Sequence, residues 1–382
     1  MIIYHREELS LSIVYIVFSK LTVVASRMRS FCEFHVATDD RFHSRCNTPE
    51  SATAPYSIAK LGGLNKMLHL LLLIVCFVET KSPIVIAHRG ASGYAIEHTE
   101  AAKALAHAQG ADYIEQDVVL SKDGEFIVNH DITMEETTDV AVLYPRRARG
   151  DGRFYFADFE WAEIQALTTH ERTVRHTDSP ALPGRFPFVV GQHVMKLVDE
   201  IQLIQGLNRT TGNNAGLYIE LKGPSFHKKE FGYSMGESLL KLLAKHGIEN
   251  ASYPCYIQCF EPDELRDLHD RLHCQLPLIQ LLGRKPSDAE LENVKSYAKG
   301  IGPALDMLAS RNETGAIVST GIVENARKRG LLVHPYTVRK HQQPKWSSSL
   351  DETHQVLIDL LKVDGFFTDY PDLGSAAVRL NK

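Results

Sequence analysis

The chain has no uninterrupted run of about twenty apolar residues, the length an α-helix needs to cross a bilayer, so no stable membrane span is readable in it. It also lacks a basic excess. Its 42 Lys and Arg stand against 47 Asp and Glu, a net charge of -5, which removes the electrostatic footprint of a nucleic-acid-binding surface. None of its 6 cysteines forms a CxxC pair, so a cysteine-built zinc site and a redox dithiol are both disfavoured. Neither an internal repeat nor a low-complexity tract is visible. What remains is an ordinary globular composition, 44% hydrophobic and 23% charged over 382 residues. That suits one large α/β domain or two smaller ones.

Cys32, Cys46 and Cys76 precede the first readable strand, and Cys255, Cys259 and Cys274 form an odd set. Free thiols are expected, with one disulfide through Cys274 as the alternative. After Met67 comes LHLLLLIVCFV, flanked by Lys66 and by Glu79, Thr80 and Lys81. The run is too short for a span and suits the apolar core of a secretory signal peptide; a buried helix beneath the fold is the alternative. We therefore expect residues 67–80 to be a signal peptide and the location to be secreted or within the secretory pathway. Residues 1–65 show one apolar patch, Ile13 to Phe18, and no sustained period. Translation is expected to start at Met67, leaving residues 1–66 an artefact of gene modelling; Leu9 to Ala25 is a second candidate signal. Three glycosylation triplets follow, beginning at Asn208, Asn250 and Asn312, each weak alone but consistent with secretion.

From Pro83 onward short apolar runs alternate with helical patterns. Strands are expected at Ile84–His88, Tyr113–Val118, Phe126–His130, Leu217–Lys222, Cys255–Phe260, Leu276–Leu281, Gly300–Gly302, Leu331–Thr337 and Phe366–Asp369. Helices are expected between several of them, as from Thr99, a capping residue, to Gln109 before Gly110, and over Asp351–Leu361. Such alternation implies parallel strands with helical crossovers, an α/β fold closed as a TIM (β/α)8-type barrel over residues 83–382. Nine strands are one too many. The second and third are joined by only Ser121–Gly124, too short for a parallel crossover, so the barrel is expected to be irregular there. The long stretch 131–216 after the third strand reads as an inserted cap or rim, with a helix of its own at Leu197–Gly206. Insertions of this kind lie at the catalytic face of a barrel.

The chemistry-bearing residues collect at strand ends. His88-Arg89-Gly90 closes the first strand, offering a proton-exchanging group, a bidentate phosphate ligand and a close backbone approach. On the next strand Glu115 and Asp117 share one face among apolar neighbours, which favours a hard divalent cation between them. His130 ends the third strand. Glu220 and Lys222 share a face of the fourth; Glu220 completes a three-carboxylate metal site and Lys222 holds a phosphate oxygen. The alternative for Glu220 and Lys222 is a plain salt bridge inside the barrel. Charge neutralisation plus proton transfer at two oxygens is what phosphoryl transfer asks of a site.

The segment IAHRGASGYAIEHTEAAKALAHAQGADYIEQDVVLSKDGEFIVNHD, Ile86 to Asp131, resembles the glycerophosphodiester phosphodiesterase family, especially its larger secreted or periplasmic branch. The likeness continues through TTDV, PGRFP, IQGLNRTTG, YIELKGPSFH, IQCF, GIGP, HPYTVR and FFTDYP, so it spans nearly everything from Pro83 to the C-terminus. The resemblance implies a TIM barrel that binds Ca²⁺ or Mg²⁺ and hydrolyses glycerophosphodiesters, small-molecule substrates, to sn-glycerol 3-phosphate and an alcohol. It implies His88 and His130 as the acid–base pair, and Glu115, Asp117 and Glu220 as metal ligands. Arg89 and Lys222 would hold the phosphate, with Glu97, Gln258 and Tyr336 lining or supporting the pocket. The chain departs from the family at Ile96, at Ser225–Lys228 and at Ala304; the last two are expected near the head-group end of the pocket. Two rivals are a phospholipase acting on intact lipids, for which Phe186, Phe188, Val189 and Val190 would form an apolar rim, and a non-catalytic binding protein.

Overall fold

The computed structural model describes residues 82–175, 177, 179–186 and 191–381. The expected signal peptide, the expected artefact 1–66, and Phe188, Val189 and Val190 lie outside them. Eight parallel strands form the barrel: β1 (Ile84–Ala87), β2 (Tyr113–Leu120), β4 (Gly216–Leu221), β5 (Cys255–Cys259), β6 (Leu278–Leu282), β7 (Gly300–Pro303), β8 (Leu332–Val333) and β9 (Gly365–Thr368). Ladder order runs β8-β7-β6-β5-β4-β2-β1-β9. The ring closes through bonds such as Asp364 N to Val333 O at 3.1 Å and Phe367 N to Pro335 O at 3.0 Å. β3 (Phe126–Val128) is the surplus strand. It folds back antiparallel on the end of β2, pairing Leu120 with Phe126, which is what a four-residue turn permits. Among the described residues no helix is long and apolar enough to cross a membrane.

Helix α1 (Glu100–Ala108) starts where the Thr99 hydroxyl accepts from Ala102 N at 3.3 Å, a cap that contributes about 1 kcal/mol. Helix α2 (Leu197–Thr211) buries Leu197, Ile201 and Ile204 in the layer between sheet and helices. It is therefore the crossover helix from β2 to β4, and the rim is residues 129–196. The rim has its own apolar cluster, Met134, Val140, Phe154, Phe156, Phe159, Ile164 and Leu167, seated on Val119 and Ile127 of the β2–β3 ribbon. Inside the barrel, Ile86, Tyr218, Ile279 and Phe367 pack as a plug, with Tyr218 stacked on Tyr256 at 5.0 Å. The filled interior leaves the polar chemistry to the strand ends. Helix α3 (Pro224–Phe231) follows β4 and carries His227 into the wall, against Phe231. Cys255, Cys259 and Cys274 are free thiols.

Candidate active site

β2 presents Glu115 and Asp117 into the barrel mouth, and β4, in register, presents Glu220 beside Asp117. The three carboxylates are 3%, 1% and 6% exposed, with one oxygen of each lying within 4.8 Å of the others. Burial and the charges of Asp117 and Glu220 push the Glu115 carboxyl well above its ordinary range. Burial pushes Glu220 up to about 7, with Asp117 adding to it against Lys222. Asp117 is held low despite its burial, by Lys222 and His98, yet its Oδ1 is buried with no hydrogen-bond partner. Three crowded carboxylates and an orphan oxygen fit a hard divalent cation, and an all-oxygen donor set suits Ca²⁺ or Mg²⁺. Gln258 on β5 donates to Glu115 Oε1 at 3.0 Å and orients it.

Each histidine is backed by a carboxylate. His88 Nδ1 donates to Asp369 Oδ1 at 2.7 Å, and His130 Nδ1 to Asp131 Oδ1 at 2.9 Å. An ionised carboxylate only accepts, so Nδ1 carries the proton and Nε2 is left as the basic atom of each ring. Burial lowers the pKa of His88 to about 4, helped by the charges of Arg89 and Arg339 and opposed by Asp369. Burial also lowers His130 to about 4, with Arg89 and Lys222 adding to it. Both rings are thus neutral proton acceptors at neutral pH. A bound anionic phosphate would work the other way and favour an imidazolium.

The turn after β1 places Arg89. Arg89 and His98 both adopt left-handed backbone, φ 55 and φ 58, and His98 N bonds Arg89 O at 3.0 Å, which folds the loop over the barrel mouth. Gly90 has φ +87, and a Cβ there would sit 2.8 Å from the Ala102 carbonyl, so only glycine fits. Arg89 N donates to Glu115 Oε2 at 2.8 Å, while its guanidinium reaches Glu97 at 3.0 Å and Asp117 at 3.6 Å. Glu97 is shared with Arg172 of the rim, which also pairs with Asp131. Lys222 Nζ lies 2.6 Å from Glu220 Oε1: the plain salt bridge is present, inside the same pocket.

All ten sequence-selected residues converge. His88, Arg89, Glu115, Asp117, His130, Glu220, Lys222, Gln258 and Tyr336 line one cavity of about 370 Å³. Tyr336 contributes its ring; its hydroxyl donates to Leu282 O at 2.9 Å. Glu97 lines an adjoining cavity of about 280 Å³ that shares His88, Arg89, His130, Arg339 and Gln342 with the first. Of the two departures expected near the head group, Ala304 is on the main cavity's wall, whereas Ser225–Lys228 are not: Phe226 stacks on Tyr155, and His227 is buried. Sequence reasoning missed Asp369, Arg339, Arg172 and His98 as site residues. Asp369 and Arg339 sit in the motifs FFTDYP and HPYTVR, where a carboxylate and a guanidinium at strand ends were the available signal.

Comparison with known proteins gives one answer. The model of the glycerophosphoryl diester phosphodiesterase family matches residues 88–373. A glycerophosphodiester phosphodiesterase of Haemophilus influenzae is 36% identical over 322 residues, covering 76% of this chain and 88% of that protein. A crystal structure of a glycerophosphodiester phosphodiesterase from Agrobacterium tumefaciens aligns with TM-score 0.53 at 26% identity, over 77% of this chain and 99% of that one. A phosphodiesterase of Oleispira antarctica, solved with the product sn-glycerol-3-phosphate, shares the fold with TM-score 0.55 at 21% identity, over 78% of this chain and 97% of that one.

Proposed function

The chain belongs to the glycerophosphoryl diester phosphodiesterase family, and from that premise we propose that it hydrolyses glycerophosphodiesters to sn-glycerol 3-phosphate and an alcohol, with a divalent metal and two histidines. It is a glycerophosphodiester phosphodiesterase, which sets aside the non-catalytic rival. The observation that carries the mechanism is the pair of carboxylate-backed histidines, with basic Nε2 atoms, at the junction of two cavities that also share Arg89. A phosphodiester has two ester arms on one phosphorus, and two chambers meeting at His88, Arg89 and His130 suit that shape.

Glu115, Asp117 and Glu220 would hold Ca²⁺ or Mg²⁺, which when bound supplies positive charge to the phosphate. Arg89, clamped by Glu97, and Lys222 hold phosphate oxygens. Gln258 keeps Glu115 oriented, and Tyr336 walls the chamber. One histidine accepts the proton of the nucleophile at Nε2, and the other, made imidazolium by uptake of a solvent proton at Nε2 beside the anionic phosphate, gives that proton to the departing alcohol. The nucleophile is water or the neighbouring glycerol hydroxyl, the latter by way of a cyclic phosphate. The test is release of glycerol 3-phosphate from glycerophosphocholine by the purified chain with Ca²⁺, with Mg²⁺ and with EDTA. Release with metal and none with EDTA is expected; equal release in EDTA overturns the metal requirement.

A second reading, cleavage of an intact lipid carrying one acyl chain, is favoured by one observation. Phe260, 42% exposed, and Leu281 belong both to the main cavity and to a neighbouring groove of about 340 Å³ with Pro262, Leu282, Val294 and Tyr297. Faster turnover of lysophosphatidylcholine than of glycerophosphocholine would establish it. Passage through the secretory pathway is part of the proposal, supported by the apolar run after Met67 and by exposed Asn250 and Asn312. N-terminal sequencing of the native protein tests it.

A further inference from the structure

Beneath the carboxylate trio, on the side away from the cavity, lies a buried cation with no part in the chemistry described so far. Lys103, on the inner face of α1, is 0% exposed. Its ammonium donates to Glu115 O and to His98 Nδ1, 3.2 Å away, and forms an ion pair with Glu200 Oε2 at 3.1 Å. Glu200 comes from α2 and is itself 0% exposed. The Glu115 carbonyl needs such a donor, since β1 stops pairing with β2 at Ala87–Ile114, one residue earlier. An ammonium can only donate, so His98 Nδ1 must be the acceptor nitrogen and the ring proton must sit on Nε2. That proton points at Asp117 Oδ2, 2.8 Å away. One lysine thus reaches two of the three carboxylate-bearing residues, Glu115 through its backbone and Asp117 through an imidazole.

Stability alone is a poor account of this arrangement. A buried ion pair between two helices and a strand is commonly no better for folding than well-packed apolar side chains. A hydrogen bond that fixes the tautomer and angle of a group supporting a metal ligand is known to act on metal affinity instead.

We propose that Lys103, charge-balanced by Glu200, is a positioning residue for the cation site: it sets the His98 tautomer and pins the Glu115 backbone, so that Asp117 and Glu115 face the cation with fixed geometry. The inference rests on the reading of Glu115, Asp117 and Glu220 as metal ligands.

The test measures cation affinity directly, without turnover, by isothermal titration of the full chain with Ca²⁺ and with Mg²⁺. Lys103→Met alone leaves Glu200 buried without a counter-charge and is expected to be unstable, so the informative variant is the balanced double Lys103→Met/Glu200→Gln. It is expected to fold, with a melting temperature near wild type, and to bind the cation about 10–100-fold more weakly. Glu200→Gln alone leaves the Lys103 ammonium buried without its counter-charge and is expected to be unstable for the same reason. Histidine ¹⁵N shifts, with His98→Asn for assignment, should show the Nε2–H form of His98 in wild type and a mixture of tautomers in the double variant. A folded double variant with wild-type cation affinity overturns the positioning role and leaves Lys103–Glu200 a packing pair. Failure of wild type itself to bind either cation overturns the metal reading on which the inference stands, and is distinguishable because it precedes any substitution.

Discussion

Replacing Asp369 by Asn tests whether the His88–Asp369 pair drives proton transfer. The exchange keeps size and shape while removing the charge 2.7 Å from His88 Nδ1. When His88 takes a proton at Nε2, the resulting imidazolium is stabilised by that carboxylate. Two unit charges about 4 Å apart at an effective dielectric of about 20 attract by about 4 kcal/mol. Each 1.36 kcal/mol or so is tenfold in rate, so a complete loss would slow the proton step about 10³-fold. Asn retains an amide dipole that softens the loss, and a fall in kcat of about 10²–10³ is expected, within the usual reach of acid–base catalysis. Because the carboxylate touches no metal ligand directly, cation affinity and KM should change little. Asp369 also accepts from Ser92 Oγ at 3.1 Å and lies 3.4 Å from Arg339, so circular dichroism and melting must first show a folded variant. The assay is glycerol 3-phosphate release from glycerophosphocholine at saturating metal. A folded Asp369→Asn protein with wild-type kcat would refute the argument that this carboxylate supports His88.

Alanine at His88 or His130 should each cost about 10²–10⁴-fold in kcat, and near wild-type turnover in both would end the two-histidine mechanism. His227, fully buried and outside the site, has its pKa lowered from 6.5 to about 4 by burial. Between those values the unfolded chain binds a proton that the folded chain refuses, so stability falls as pH drops from 6.5 to 4, by about 3 kcal/mol for this group. Urea unfolding of His227→Phe should therefore depend less on pH in that window than wild type, and parallel curves would contradict it. In a secreted chain Asn250 and Asn312, both exposed, should carry glycan, whereas Asn208 should not. Asn208 donates to Ala215 O at 2.9 Å and its Oδ1 receives Ala215 N at 3.0 Å, a bracket that a sugar on its amide would break. Mass spectrometry of glycopeptides decides; a glycan at Asn208 refutes the argument. Gly90→Ala should abolish soluble expression or strongly lower the melting temperature, because neither φ +87 nor the 2.8 Å approach to Ala102 tolerates a Cβ.

The main chemistry of this protein was written in local order. His88-Arg89-Gly90, Glu220/Lys222 and His130 lie at or just beyond the end of a strand, whereas the i,i+2 pair Glu115/Asp117 lies within β2, which runs on to Leu120. Strand alternation and strand ends are properties of a few consecutive residues, so they survive being read one segment at a time. The rim's extent was not legible in this way, since α2 has the same helical pattern whether it caps a site or crosses under a sheet; burial of Leu197, Ile201 and Ile204 decided it. The surplus strand β3 was flagged by its short turn, but only pairing with β2 gave its direction.

The supporting partners belong to the tertiary structure alone. Asp369 is 281 positions from His88, and the two meet because barrel closure sets Ala87 opposite Thr368. Gln258 reaches Glu115 across 143 positions through strands in register, and Glu200 meets Lys103 because α2 packs on α1. A residue's type and its neighbours declare what it can donate or accept. Which distant atom satisfies it depends on strand order and register, and those are fixed only when the sheet closes and its helices settle on it.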